Sequence, residues 1–374
     1  MPVRSSQQLR DNVGQLMIMG FDGTAVDQRL RAMLTTLQPG GVILFRRNIE
    51  TAIQTHALLR DAQRALGVSI FRCVDMEGGT VDRFRDVAGC VPSALDVART
   101  GSELLYRKHG ALIGRQLRAM GFNTDFAPCL DLGLEASRKA LGSRTISADP
   151  EEVVKYAREF LRGLRKERLL GCAKHFPGLG GGAVDSHLGL PEVSRTWKQA
   201  WDEDLLPYRA LRRDVAFVMV AHVAYPKIMK NRGPASLSRG WIEGVLREKI
   251  GYRGLVISDD LDMGGVLNGA SIENAAVGTL EAGCDMFLVC QKEEHVWRAY
   301  EAVLRRCEQH KGFARIVGTK ARRVRAFKDR SLEIQARLAP APSAKAVETM
   351  RRNVWEFTEE VRLSALATRE RVPR

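Results

Sequence analysis

Short apolar runs recur along the chain, and each is followed by a segment long enough to form a helix. The eight runs, given by residue number, are 16–20, 41–45, 70–75, 122–129, 170–175, 215–222, 254–259 and 284–290. Amphipathic segments lie between them, for example at 49–66, 151–166, 195–213, 237–249 and 272–282. Apolar runs of this kind predict strands buried on both faces, which are typical of parallel sheets covered by helices.

Eight strand–helix units over about 300 residues predict an α/β fold, namely a single-domain (β/α)8 barrel of the TIM type. A doubly wound parallel sheet is the alternative, but no Gly-x-Gly-x-x-Gly follows the first strand to favour it. The barrel is predicted at residues 1–330. Residues 331–374 are predicted to form an extension with a linker at 339–343 and a helix at 353–366, which packs Val354, Phe357 and Val361 against the barrel.

Polar side chains gather where the apolar runs end. This set comprises Asp75, Glu77, Asp125, Asp131, Lys174, His175, His222, Asp259 and Asp260. The loops at the carboxyl ends of barrel strands converge, so that end carries the active site in enzymes of this fold. We expect Asp260 to cap a helix, Asp125 and Asp131 to brace loops, and His222 to be a buried histidine held by a neighbouring loop.

Four other histidines lie in polar, helical contexts and are predicted to be on the surface. They are His56, His109, His295 and His310. The chain has seven cysteines, and five of them lie inside apolar runs, at 73, 129, 172, 284 and 290. No two form a Cys-x-x-Cys pair, so we expect reduced core thiols. Together with a polar segment at 5–8, where a signal peptide would have an apolar core, this predicts a cytoplasmic protein.

The formal charge of +14 is concentrated near the C-terminus, where residues 311–374 hold 16 Lys and Arg against 7 Asp and Glu. A basic tail can attract an anionic partner. The tail has no basic motif interleaved with aromatic residues and no zinc-finger or helix-turn-helix signature, so a solvated helical face is favoured and no nucleic-acid partner is expected. No run approaches the roughly 18 apolar residues of a membrane span.

The segment 174–187 carries the most informative group of polar residues. A strand ends in Lys174 and His175, and a loop with glycines at 178, 180, 181 and 182 then presents Asp185 and His187. An Asp-x-His spacing lets the carboxylate orient the imidazole and raise its basicity, which suits a general acid or base. Composition alone fits a surface loop with incidental polar residues equally well.

Two further segments place charged residues at strand ends. Asp259 ends the run 254–259 and Asp260 follows it directly, and two adjacent carboxylates at a strand end can divide roles. Asp75, Glu77 and Arg83 surround a Gly-Gly turn, an arrangement that suits recognition of sugar hydroxyls. No set of His, Cys and carboxylate residues has convincing metal-ligand spacing, so no metal site is predicted.

These segments together resemble the family-three glycoside hydrolases, and within them the single-domain bacterial β-N-acetylglucosaminidases of cell-wall recycling. The matching blocks lie in order at 74–79, 123–131, 142–144, 174–178, 185–187, 221–223, 234–238 and 258–261. They fall within residues 10–300, about four-fifths of the chain. The Asp-Ser-His block at 185–187 marks the hexosaminidase branch rather than the β-glucosidases.

The resemblance implies a role for eight residues. Asp259 would be the nucleophile of a covalent glycosyl-enzyme, and His187, oriented by Asp185, would be the general acid and base. The sugar at the non-reducing end would be held by Asp75, Arg83, Arg144, Lys174 and His175. It implies a muropeptide-type or chitooligosaccharide substrate that contains N-acetylglucosamine (GlcNAc), with neither a metal nor an organic cofactor, and it leaves the oligomeric state open.

The chain departs from the family pattern at Thr80, Leu179, Gly181 and Gly182, and at 145–147 after the fourth strand. The consecutive glycines predict a less ordered loop. We expect these changes to affect rate and substrate preference more than reaction class. Three alternatives stay open on the same fold: a β-glucosidase, an N-acetylglucosaminide phosphorylase, and a barrel that binds sugars without turnover.

Overall fold

The protein, described at residues 2–230 and 233–371 by a computed structural model, contains eight parallel strands within those ranges. They are β1 Met17–Met19, β2 Gly41–Ile43, β3 Phe71–Val74, β4 Thr124–Asp125, β5 Leu170–Phe176, β6 Phe217–Val220, β7 Leu255–Asp260 and β8 Met286–Val289. Each strand pairs with the next and β8 pairs with β1, so the sheet is a closed barrel. Every strand overlaps one of the eight apolar runs, and the predicted (β/α)8 barrel is confirmed.

Helices follow each strand and cover the outside of the barrel. In chain order they are α1 Pro2–Gln15, α2 Gln28–Leu37, α3 Ala52–Leu66, α4 Arg85–Ala88, α5 Ala94–Ala98, α6 Glu103–Ala119, α7 Arg138–Leu141, α8 Pro150–Lys166, α9 Trp197–Gln199, α10 Leu206–Leu211, α11 Gly264–Leu267, α12 Ile272–Ala282, α13 Glu293–Gln309, α14 Lys311–Arg330, α15 Leu332–Gln335 and α16 Ala344–Arg371. Two π-helical segments, Ala200–Asp204 and Gly240–Lys249, complete the layer.

Local sequence explains where several helices begin and end. The side chain of Thr51 accepts a hydrogen bond from the N–H of Gln54 at the start of α3, and Asp149 caps α8 directly before Pro150. Both use a short polar side chain to satisfy a backbone donor that the first turn leaves unpaired. Helix α3 ends at Gly67, whose φ of 68° is in the left-handed region that glycine adopts without steric cost.

Helix α14 closes the end of the barrel where the strands begin. Phe327 packs on Phe71 and Phe217, the first residues of β3 and β6, with ring centroids 6.1 and 6.0 Å apart. The buried Lys328 donates a hydrogen bond of 2.9 Å to Gln15 at the end of α1. Aromatic packing therefore fills this end, and the polar residues at the carboxyl ends of the strands lie on the opposite face of the barrel.

The predicted C-terminal helix is present and longer than expected, since α16 spans Ala344–Arg371 rather than 353–366. Its predicted contact residues Val354, Phe357 and Val361 are buried, which confirms that the helix packs on the barrel. Phe357 stacks on His109 of α6 with a centroid distance of 5.8 Å. The extension is therefore part of the packed core, although much of its charge faces solvent.

Three of the four histidines expected on the surface are placed differently. His109 is fully buried, with Nδ1 2.6 Å from the Tyr156 hydroxyl, and His56 is buried with Nε2 donating to the carbonyl of Ala339 in the linker. The predictions were wrong for both because the C-terminal extension covers their helices. His295 is largely buried against Asp262, whereas His310 is exposed as predicted.

The cysteine prediction is confirmed for the five thiols in apolar runs, all of which are buried and unpaired. Burial raises the pKa of the Cys172 thiol well above its ordinary value, which keeps it in the unreactive protonated form. Among the helices of the described residues, none is long and apolar enough to cross a membrane.

Candidate active site

All eight residues singled out in the sequence line one cleft at the carboxyl ends of the strands. They are Asp75, Arg83, Arg144, Lys174, His175, Asp185, His187 and Asp259. The cleft has a volume of about 260 Å³, which is small for a ligand pocket. It suits a ligand of one ring better than an extended polymer inserted along its length.

The floor of the cleft is a network of alternating charges. Lys174, at the end of β5, lies 2.7 Å from a carboxylate oxygen of Asp75 and 2.7 Å from one of Glu77. Arg144 also binds Glu77, because its Nε and Nη2 donate to the two carboxylate oxygens at 2.9 and 2.8 Å. Arg83 lies 3.7 Å from Asp75. Paired in this way, the charges can be buried without leaving one uncompensated.

The same pairing keeps the network ionised. Burial by itself would raise the pKa of Glu77, but Arg144 and Lys174 hold it far below its ordinary value. Burial likewise opposes ionisation of Asp75, and Lys174 and Arg83 nevertheless lower its pKa. The two carboxylates in turn outweigh burial at Lys174 and raise the pKa of its ammonium group. The cleft therefore presents fixed donors and acceptors at neutral pH.

His175 is held from both sides. Its Nδ1–H donates to Asp131 at 2.6 Å, and its Nε2 accepts from Arg144 at 3.2 Å. Asp131 also accepts the N–H of Leu179 at 2.7 Å, so it braces the loop that follows β5. Asp125 accepts the N–H of Met76 at 3.0 Å and braces the loop after β3. The predictions that Asp131 and Asp125 brace loops are confirmed.

Cys129 joins this group and creates the one cluster of metal-type donors found in the described residues. Its Sγ lies 3.2 Å from Asp131, and donor atoms of Cys129, Asp131 and His175 all lie within 4.8 Å of one another. Sequence spacing did not indicate this grouping, because Cys129 and Asp131 follow β4 whereas His175 lies in β5. Each donor already has a hydrogen-bond partner, and Arg144 beside the imidazole would repel a second cation. We interpret the cluster as support for His175.

Asp259 lies at the end of β7 and faces the cleft. Its neighbour Asp260 was expected to cap a helix, and that prediction was wrong. Asp260 Oδ1 accepts the N–H groups of Asp262 and Cys290, at 3.1 and 3.0 Å, so it ties the loop after β7 to the loop after β8. Burial and the neighbouring Asp262 raise the pKa of Asp260 to about 7.

His222 is buried between the same loops, as predicted. Its Nε2 donates to the carbonyl oxygen of Asp260 at 2.9 Å, and its Nδ1 accepts from the hydroxyl of Ser236 at 2.7 Å. Burial lowers the pKa of His222, which favours the neutral ring that this pattern requires. The side chain supports the strand end that carries Asp259.

Asp185 and His187 form the predicted pair on the loop after β5. Oδ1 of Asp185 accepts from both Nδ1 and the backbone N–H of His187, at 2.8 and 2.9 Å. Burial opposes ionisation of Asp185, but these bonds from His187 lower its pKa. The His187 side chain is 64% exposed and lines the cleft, so Nε2 is the ring atom left to act on a ligand.

The glycines at the base of this loop allow close packing. A Cβ at Gly180 would lie 2.4 Å from the carbonyl oxygen of Leu132, and one at Gly181 would lie 2.8 Å from the Val193 side chain. Leu179, one of the departures from the family pattern, is buried, and its backbone N–H donates to Asp131. Two of the glycines therefore provide room for neighbouring residues at the loop base, and the expected lower order of the loop stays a prediction.

Sequence reasoning placed Glu77 at a strand end but did not assign it to the site. Its contacts with Lys174 and Arg144 make it the centre of the charge network. The sequence did contain a signal that Glu77 belongs to the site, since it lies two residues from Asp75 in one loop, near the end of a parallel strand. Of their cationic partners, Arg144 follows β4 and Lys174 lies in β5, and only the closed barrel brings the four together.

Comparison with known proteins identifies the family of this chain. Residues 8–326 match the Glycosyl hydrolase family 3 N terminal domain. A Beta-hexosaminidase of Alkalilimnicola ehrlichii is 39% identical over 301 residues, covering 78% of this chain and 84% of that protein. A family 3 β-N-acetylglucosaminidase from Paenibacillus sp. str. FPU-7 has a TM-score of 0.86 at 30% identity, covering 94% of this chain and 68% of that one.

A second solved structure is NagZ from Neisseria gonorrhoeae in complex with N-trifluoroacetyl-D-glucosamine. It has a TM-score of 0.75 at 28% identity, and the match covers 94% of this chain and 97% of that one. The resemblance inferred from the sequence blocks is therefore confirmed. Because the family match spans most of the chain and the relatives agree in name and fold, the chain belongs to glycosyl hydrolase family 3 and is a glycoside hydrolase of the β-hexosaminidase type.

Proposed function

We propose that the protein is a retaining exo-β-N-acetylglucosaminidase. It releases GlcNAc from the non-reducing end of cell-wall glycosides of the muropeptide type through a covalent glycosyl-enzyme. The observation that carries the proposal is that Asp259 and the Asp185–His187 pair line the same cleft, above a fixed network of charged groups. The GlcNAc analogue bound to the Neisseria gonorrhoeae relative supports the choice of sugar.

The reaction has two displacements. Asp259 attacks the anomeric carbon while His187 Nε2–H protonates the departing glycosidic oxygen. The neutral imidazole then takes a proton from water, which attacks the anomeric carbon and breaks the bond to Asp259. Two inversions give net retention of configuration. Asp185 holds Nδ1–H, so the proton is exchanged at Nε2 in both steps.

The buried network explains why a terminal sugar is the expected ligand. Ionised Asp75 and Glu77 accept hydrogen bonds, and Lys174, Arg144 and Arg83 donate them, which matches the paired donors and acceptors of ring hydroxyls and an acetamido group. The floor is closed by these residues, so the sugar enters by its non-reducing end and the aglycone stays at the mouth. A muropeptide and a chitooligosaccharide both meet this requirement.

We propose a cytoplasmic location for the protein, which its buried, unpaired thiols support.

The proposal is tested with 4-nitrophenyl N-acetyl-β-glucosaminide and 4-nitrophenyl β-glucoside, each with and without phosphate. We expect cleavage of the first substrate, with β-GlcNAc as the first anomer seen by proton NMR and no GlcNAc-1-phosphate. Preference for the glucoside would identify a β-glucosidase, and a phosphate-dependent rate with a sugar phosphate product would identify a phosphorylase. Sugar binding without cleavage would contradict the proposed reaction.

The role of His187 predicts an effect that depends on the leaving group. In His187→Ala, kcat/KM for an alkyl or natural glycoside should fall about a hundredfold or more, because its oxygen needs a proton to depart. A dinitrophenyl glycoside, whose leaving group is stable as an anion, should lose far less. Asp185→Asn should give a smaller loss of the same kind. Equal losses across a series of aryl glycosides would remove His187 from the acid role.

A further inference from the structure

The loop that carries Asp185 and His187 is fastened to the segment that follows Asp259. The N–H of Gly264 donates to the carbonyl oxygen of His187 at 3.1 Å, and the N–H of Gly265 donates to that of Ser186 at 2.9 Å. These two donors are the first residues of α11, where backbone N–H groups have no partner within the helix. The loop therefore supplies acceptors for otherwise unpaired donors.

The contact is too close for any side chain at these two positions. A Cβ on Gly264 would lie 2.8 Å from the carbonyl oxygen of His187 and 2.9 Å from that of Leu188. A Cβ on Gly265 would lie 2.9 Å from the Ser186 carbonyl oxygen and 2.9 Å from Cβ of His222. Neither glycine has a positive φ, so what each provides is space. The atoms in the way are mainly backbone, so an added methyl group displaces the loop.

The segment that receives the loop is itself fixed. Asp262 accepts the N–H groups of Cys290 and Gln291, at 3.1 and 2.7 Å, and pairs with His295 of α13. Asp260 accepts the same N–H of Cys290. One short segment, 259–265, thus begins with the proposed nucleophile, is bonded to the loop after β8, and ends at the two glycines.

The imidazole depends on this support. The His187 side chain is 64% exposed, and its partner Asp185 lies in the same loop, so packing of the ring does not set its position. The backbone bonds to Gly264 and Gly265 relate the loop to the segment that carries Asp259. A displacement of about 1 Å in a reacting group is enough to lower a rate substantially.

We infer that Gly264 and Gly265 are positioning residues that set the distance between the acid/base imidazole and the nucleophile. This rests on the proposed function, because it assumes that His187 donates the proton. The two glycines contact neither sugar nor proton. They act through the backbone of residues 186–188, and they supply both the hydrogen-bond donors and the clearance that the loop needs.

The test compares Gly264→Ala and Gly265→Ala with Gly269→Ala. Gly269 follows the same helix, and a Cβ there would come no closer than 3.9 Å to the Val266 carbonyl oxygen. In the first two variants, kcat/KM for an alkyl N-acetylglucosaminide should fall at least about tenfold more than for the dinitrophenyl compound, as in a weakened His187→Ala. Gly269→Ala should stay within about twofold of the parent on both.

Hydrogen–deuterium exchange gives a readout that does not depend on the mechanism. Amide exchange in residues 183–189 should rise in Gly264→Ala and Gly265→Ala, but not in Gly269→Ala, while the barrel strands keep their protection. Unchanged exchange, or an equal loss on both leaving groups in folded protein, would overturn the inference. If exchange rises while His187→Ala itself shows no leaving-group dependence, the docking holds and the proposed acid role fails.

Discussion

We expect Asp259→Ala to lower kcat by at least about a thousandfold, which corresponds to about 4 kcal/mol of activation free energy. In the proposed mechanism no covalent intermediate can form without this carboxylate, and nothing at that position would stabilise the charge that develops at the anomeric carbon. The measurement is kcat for an aryl N-acetylglucosaminide at saturating substrate. KM should change much less, since the charge network proposed to hold the sugar is unaltered.

The matched control is the adjacent carboxyl group, changed in Asp260→Asn. Asp260 is bonded to backbone N–H groups of two loops, so we expect a smaller loss that comes from altered loop geometry. Trapping with a slow fluorinated N-acetylglucosaminide should add the sugar mass to the peptide that contains Asp259 in the parent and in Asp260→Asn. A label on another residue, or equal losses in the two variants, would contradict the assignment of the nucleophile.

The barrel was predictable because each strand is buried on both faces and therefore appears in the sequence as an uninterrupted apolar run. The placement of polar residues was predictable for a related reason, since all carboxyl ends of parallel strands meet on one face. Lys174 and Asp75 are 99 positions apart, yet the closed sheet brings them to 2.7 Å. The roles proposed for Asp259 and His187 stay predictions until they are tested.

The errors arose where local sequence does not indicate what covers a residue. His109 lies on a helix with polar neighbours, but Phe357, far along the chain, packs over its ring. Asp260 follows a strand as a helix cap does, but α11 begins only at Gly264, and a donor to Asp260 comes from Cys290. Contacts between residues far apart in the chain determine these partners, and helical periodicity and capping patterns do not reveal such contacts.

The site therefore combines two kinds of support. The floor proposed to bind the sugar consists of paired charges brought together from strand β5 and from the loops after β3 and β4, and Glu77 and Lys174 are each at most 3% exposed. The imidazole is exposed and lies on a loop, and backbone hydrogen bonds from Gly264 and Gly265 hold that loop. A substitution in the floor should consequently affect folding and sugar affinity together, whereas one in the loop should affect the chemical steps.

Glu77→Gln tests the floor, and we expect it to lower the free energy of unfolding by about 3–5 kcal/mol. The change removes the negative charge between Lys174 and Arg144 and leaves the guanidinium without its carboxylate in a buried site. KM for a GlcNAc glycoside should rise, because Arg144 and Lys174 no longer keep fixed positions. Denaturant unfolding gives the stability change, and initial rates with an aryl glycoside give KM.

The control is Glu360→Gln, which removes a carboxylate from an exposed pair with Lys108 and should cost less than about 1 kcal/mol.

The pH dependence of the stability loss in Glu77→Gln separates the contribution of the charge from that of side-chain packing. The folded protein lowers the pKa of Glu77, so its contribution is fully present above 4.5, its ordinary value, and declines as the pH falls below that value towards the lowered folded pKa. The stability difference between the parent and Glu77→Gln should therefore shrink in acid. A difference that stays constant down to the acid limit of folding would mean that the loss comes from packing, and that the paired charges do not hold the floor together.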